Sequence, residues 1–110
     1  QYLCSIAITA DDRYLFTGGD YGHLKQFRVS DGHMIKNYVR LFKKEIKSMI
    51  TTPDNKFLFV GDETGNLKQI CLENQKVVHH YKELHRDAIL CLQTTRDSKY
   101  LITGSYDQSV

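Results

Sequence analysis

Asp11-Asp12-Arg13-Tyr14-Leu15-Phe16-Thr17-Gly18 stands 43 residues before Asp54-Asn55-Lys56-Phe57-Leu58-Phe59-Val60-Gly61, and that stretch stands 43 residues before Asp97-Ser98-Lys99-Tyr100-Leu101-Ile102-Thr103-Gly104. The register holds without a gap. At this offset 19 of 67 overlapping pairs are identical, and others exchange like for like, as Arg13 with Lys56 and Asp20 with Glu63. Gly22-His23-Leu24-Lys25-Gln26-Phe27 overlays Gly65-Asn66-Leu67-Lys68-Gln69-Ile70, and Tyr38 and Leu41 overlay Tyr81 and Leu84. A period of this length means that each copy is one supersecondary unit, stable only when stacked on its neighbours.

Working outward from that stretch, each copy reads as four short strands. Ile6-Ala7-Ile8-Thr9 and its counterpart Ile89-Leu90-Cys91-Leu92 are nearly continuous apolar runs, which predicts a strand buried on both faces. Tyr14 to Thr17 is equally apolar, Leu24 to Val29 alternates, and Met34 to Arg40 is the most polar of the four. Ala10-Asp11-Asp12, Ser30-Asp31-Gly32, Thr52-Pro53-Asp54-Asn55 and Glu73-Asn74-Gln75 supply the turns. Burial is expected to fall from the first strand to the fourth, as in a radial blade with its first strand at the hub. No stretch sustains a helical period.

Composition agrees with a folded domain of ordinary make-up. The 110 residues are 41% hydrophobic and 25% charged, with a formal charge of +2, too even a balance to announce a polyanion or a membrane surface. The longest apolar run, Ala88 to Leu92, is far short of the roughly 20 residues that a spanning helix needs. Cys4, Cys71 and Cys91 are odd in number and widely spaced, so neither a disulfide framework nor a paired metal motif is expected, and the setting read from them is intracellular, with the cytoplasm the first choice.

Four strands in a repeat of this length resemble the WD-repeat β-propeller family, and the third copy carries more of its pattern. Leu84-His85 followed after three residues by Ile89 stands where that family writes Gly-His before its innermost strand, and Leu101-Ile102-Thr103-Gly104-Ser105-Tyr106-Asp107 is similar to its second strand and turn. The resemblance implies an all-β propeller and, in the third copy, a structural tetrad of His85, Thr103 and Asp107 with a Trp position just beyond Val110. The second copy has Phe42, Val60, Thr64 and Ile70 at those places, which predicts apolar packing instead. The first keeps Thr17 but has Tyr21 and Phe27, and the chain has no Trp. The expected repeats run from about 1–43, 44–86 and 87–110, about two and a half blades of a larger propeller whose other blades pack on these.

The chemistry-bearing residues point away from catalysis. The spacing of His85, Thr103 and Asp107 is that of a loop tie, and neither a nucleophile elbow nor a phosphate-binding glycine loop occurs. His79 and His80 are adjacent on a predicted strand and face opposite ways, which disfavours a shared metal ion, and a zinc site with Cys71 would need at least one further ligand. No metal or cofactor is expected. Lys36, Arg40, Lys43, Lys44 and Lys47 form a basic set around one connection, interrupted by Glu45.

What the resemblance implies for function is a non-catalytic scaffold that docks proteins or peptides. In the family, the residue before the turn Asp and the entrance of each innermost strand face the central funnel. Through the register these are Asp20, Glu63 and Tyr106, with Tyr2, Cys4, Glu45, Lys47, Ala88 and Leu90. Their mixture of acid, base and aromatic suits a protein segment better than nucleic acid. The two rival expectations are a propeller fused to an enzyme and a recognition domain for a phosphorylated or other anionic ligand at Lys43, Lys44 and Lys47.

Overall fold

A computed structural model of the chain describes residues 3–19, 22–39, 41–82, 89–97, 99 and 101–105. The first repeat forms β1 (Leu3–Ile8), β2 (Tyr14–Gly19), β3 (Leu24–Arg28) and β4 (Met34–Tyr38), an antiparallel sheet in chain order. The second forms β5 (Ile46–Thr51), β6 (Phe57–Asp62), β7 (Leu67–Cys71) and β8 (Lys76–Tyr81) in the same order. The third contributes β9 (Ile89–Thr94) paired with β10 (Leu101–Ser105). β5 lies against both β1 and β9, so the innermost strands of the three sheets adjoin one another as a hub.

Backbone conformation repeats with the sequence. Asp12 and Asn55, equivalent in the register, take φ of 60° and 62°, and Gly32 and Gln75 take 72° and 61°. The turns between first and second strands are closed by one device. Thr9 Oγ1 donates to Asp11 Oδ1 at 2.7 Å, Thr52 to Asp54 at 2.5 Å and Thr95 to Asp97 at 2.6 Å. The same carboxylate oxygens accept from the amides of Arg13, Lys56 and Lys99 at 3.1 Å. In the first two copies the threonine oxygen also accepts from the amide that opens the next strand, Tyr14 or Phe57, again at 3.1 Å. A threonine and an aspartate two residues apart thus satisfy the orphan donors of each turn.

The core lies between the first two sheets. Phe16, Leu24, Ile46, Leu58, Val60 and Ile70 are fully buried, with Tyr38, Leu41 and Phe42 around them. Their register mates identify the faces. Leu58, Val60 and Ile70 are covered, while Leu15, Thr17 and Phe27 at the same places of the first repeat are half-buried, so this face of a blade is covered by the blade before it. Gly18 has a contact role: a Cβ there would stand 2.7 Å from Ile46 Cγ2, so glycine lets β2 approach β5.

Ile6 is 55% and Ile8 51% exposed, on the side of β1 that no sheet covers among the described residues, the exposure expected of a first strand whose face is made to pack on another blade. One sequence expectation is corrected. Burial peaks at the second strand, not the first, because β2 and β6 are flanked by a strand on either side and touch the next hub strand. The fourth strand ends at Tyr38 and is half-exposed, while β8 is exposed throughout. Both outer strands carry a bulge at the same place: Ile35 between the pairs Gln26 with Lys36 and Phe27 with Met34, and Val78 between Gln69 with His79 and Ile70 with Val77.

Candidate functional site

At the hub end that carries the connections between blades, all three innermost strands share an irregularity. Leu3 pairs with Gly19 and Ser5 with Gly18, leaving Cys4 unpaired; Ile46 pairs with Asp62 and Ser48 with Gly61, leaving Lys47; Ile89 pairs with Ser105 and Cys91 with Gly104, leaving Leu90. A bulge releases one residue from the ladder and re-aims its side chain. The three residues so released are strand-entrance positions expected from the sequence, and they recur with the 43-residue period.

Around Lys47 the described geometry is compact. Lys47 Nζ lies 2.7 Å from Glu45 Oε2, and the Glu63 amide donates to the Glu45 carbonyl at 3.0 Å. Glu45 is half-buried, whereas the Glu63 side chain is exposed at the turn between β6 and β7. Beneath it, Asp62 is buried and saturated: its Oδ1 accepts from the amides of Thr64 at 3.0 Å and Asn66 at 2.8 Å, and from the Thr64 hydroxyl at 2.9 Å. The turn is therefore a rigid pedestal that presents Glu63 beside the Glu45–Lys47 pair. Tyr2, Asp20, Ala88 and Tyr106 lie outside the described residues, and for Cys4 and Leu90 only the strand register is described.

The tetrad assignment falls largely outside the described residues, since it needs His85 and Asp107; Thr103 sits on β10 opposite Leu92. In the second repeat the equivalent places behave as the sequence predicts. Phe42 is 5% exposed, Val60 and Ile70 are fully buried, and all three belong to the core. Thr64 is committed to Asp62 instead.

The basic set does not gather. Lys36 Nζ donates to the Gln75 carbonyl at 3.0 Å, across to the second blade, and lies 4.8 Å from the centre of the Tyr38 ring. Lys47 is held by Glu45, which leaves Lys43 and Lys44 exposed, while Arg40 lies outside the described residues. Sequence reading passed over Lys68, which donates to the Leu41 carbonyl and lies 4.9 Å from the Phe42 ring centre. Burial lowers the Lys68 pKa, and the nearby Asp62 carboxylate opposes that shift. Its identity with Lys25 in the register was the available signal. Among the described residues no group of histidine, cysteine or carboxylate side chains is placed to hold a metal ion, and no helix is long and apolar enough to cross a membrane.

Four-stranded antiparallel sheets set around a shared hub, with one repeating strand-entrance bulge, are the architecture of a β-propeller. Residues 75–110 match the family model of the WD domain, G-beta repeat. No curated protein matches the chain. Among solved structures, a crystal structure of the RRP9 WD40 repeats and a structure of U3-55K each superpose with a TM-score of 0.89 at 20% identity, covering 96% of this chain and 33% of theirs. The chain carries the WD40-repeat propeller fold, and it spans about a third of the length of these matched chains.

Proposed function

We propose that the chain is part of a non-catalytic interaction scaffold, a WD-repeat propeller that docks protein or peptide segments, with repeats divided at about 1–43, 44–86 and 87–110. The observation that carries this reading is the recurrent bulge at Cys4, Lys47 and Leu90, which releases one residue per blade from the ladder at the same hub end as Glu63. A device repeated on three blades serves a continuous surface rather than one pocket. The mixed charge of Glu45, Lys47 and Glu63, extended in the register by Asp20 and Tyr106, fits a protein segment with its own mixed side chains. With Lys36 and Lys47 already engaged, the rival site for an anion is left with Lys43 and Lys44, which weakens it. An intracellular setting goes with this reading.

The test is a double substitution, Glu63→Lys with Tyr106→Ala, in the intact protein. Partner capture is measured beside a melting curve. The proposal requires capture to fall while the melting temperature holds; unchanged capture at unchanged stability leaves this surface without the role.

A further inference from the structure

The face of the first sheet turned away from the second holds a hollow of about 400 Å³, lined by Ile8, Leu15, Phe27, Arg28, Val29 and Gly32. Ile8 is 51% and Val29 49% exposed, and no sheet among the described residues covers them. Each lining residue has a register mate in the second sheet, from Thr51 and Leu58 to Cys71 and Gln75. The hollow is thus an open instance of a seat that the structure also shows filled.

The filled seat identifies its occupant. The Thr51 hydroxyl donates to the Ile8 carbonyl at 2.9 Å, which ties the first blade across it. Leu58 and Ile70 are fully buried there, and Tyr38 of β4, 7% exposed, joins them in the core with Cys71 nearby. Lys36, two residues earlier on the same side of β4, lies 4.8 Å from the Tyr38 ring centre, and its Nζ donates to the Gln75 carbonyl at 3.0 Å. A tyrosine enters the seat, and the cation above it fastens to the turn that closes it. On β8 the same two places hold His79 and Tyr81, their rings 5.9 Å apart, so a basic residue followed by a tyrosine recurs on the outer strand.

The open seat is built in the same way. Its turn repeats that of the filled one: the Gly32 amide donates to the Arg28 carbonyl and the Gln75 amide to the Cys71 carbonyl, each at 2.8 Å, with φ of 72° and 61°. The Gly32 carbonyl is therefore held as the Gln75 carbonyl is. We propose that the hollow docks the outer strand of another repeat of the intact protein, one that carries a basic residue and, two residues on, a tyrosine or phenylalanine. The ring is buried over Leu15 and Phe27, and the cation donates to the Gly32 carbonyl. This inference rests on the reading of the chain as part of a larger propeller and does not depend on the hub-end surface.

The experiment places a photoreactive diazirine analogue of leucine in the intact protein at Arg28 and, in a second variant, at Val29, with Cys71, the register mate of Arg28, as the reference position. Irradiation followed by peptide mass spectrometry locates each adduct. The reference is expected to cross-link to the segment that carries Lys36 and Tyr38. Arg28 and Val29 are expected to cross-link to a segment of the same chain in which a basic residue stands two before an aromatic one. Replacing that aromatic residue by alanine should cut the Arg28 yield severalfold and leave the Cys71 yield unchanged. An adduct within the same chain on a segment that lacks the pair overturns the proposal and leaves the propeller reading standing. Adducts only on a second copy or on another protein, or none from Arg28 and Val29 while Cys71 cross-links, overturn both.

Discussion

Phe16 and Phe59 occupy the same place in successive repeats, yet Phe16 is fully buried and Phe59 only half-buried. The difference is the next blade: a complete four-stranded sheet follows the first, and two described strands follow the second. Phe16→Ala should therefore cost about 3–5 kcal/mol, the transfer energy plus a cavity. Phe59→Ala should cost about 1–2 kcal/mol, since part of its ring remains wet. Denaturant titration of the two variants of this chain checks the order, and equal losses would count against the assignment of faces.

Gly22 and Gly32 share a left-handed backbone, with φ of 71° and 72°, and differ in surroundings. A Cβ on Gly32 meets nothing within 4 Å, whereas one on Gly22 would run into the backbone of Phe42. Gly32→Ala should cost about 1–2 kcal/mol, the conformational part alone. Gly22→Ala adds displacement of the connection between blades, and the melting temperature should fall further.

The threonine–aspartate turns give a pH dependence of definite sign. Hydrogen bonding from Thr9 holds the Asp11 pKa below its usual value, and Thr95 does the same for Asp97. Because the folded pKa values are depressed, this contribution is present above the unfolded aspartate pKa and is lost as pH falls through the folded ones. Asp11→Asn and Asp97→Asn should lower stability at neutral pH and flatten the acid limb of the profile, variant and parent converging as the pH falls below the folded pKa values. Thr52→Val, at a buried hydroxyl that bonds both Asp54 and the Phe57 amide, should cost about 1–3 kcal/mol at any pH.

Tyr38 places a buried hydroxyl between the blades with no hydrogen-bond partner among the described residues. Burial, reinforced by the nearby Cys71, pushes its pKa up to about 12. The folded value is raised, so this group favours folding below the unfolded tyrosine pKa near 10 and opposes it as pH climbs toward 12. Tyr38→Phe should be neutral or stabilising at pH 7 and should extend the alkaline limb. A clear loss of stability at neutral pH would mean that the hydroxyl has a partner.

Phe42→His installs the residue type that the third repeat has at His85, but its surroundings are Val60 and Ile70, both fully buried and apolar, and the Lys68 ammonium 4.9 Å from the ring centre. The imidazole would trade apolar packing for burial beside a cation, with no carboxylate or hydroxyl of the tetrad kind to bond, so a loss of about 1–3 kcal/mol is expected rather than a rebuilt network. Differential scanning calorimetry reads it directly.

The 43-residue register made the strand order, the turn positions and the hub legible before any coordinates, because identical residues such as Gly18, Gly61 and Gly104 hold the same place in the ladder, opposite Ser5, Ser48 and Cys91. Burial was less legible. The order of burial along a blade was misjudged, because the second strand, with a strand on either side, is more covered than the first, while Ile6 and Ile8 were readable as the apolar face that only another blade would cover. The Thr9–Asp11, Thr52–Asp54 and Thr95–Asp97 pairs were visible as threefold identities and were read only as turn punctuation. The hub-end bulges could not be read at all, since Cys4, Lys47 and Leu90 share no side-chain chemistry.

The bulges at Ile35 and Val78 have a consequence for the outer rim. Among the described residues, each four-stranded sheet ends in a strand with no further strand beside it, the kind of border along which chains zip together into fibrils. A kink at the same step of both borders breaks the even spacing of donors and acceptors that a foreign strand would need to follow. The rim is thereby a poor template for main-chain pairing, which favours recognition that reads its side chains.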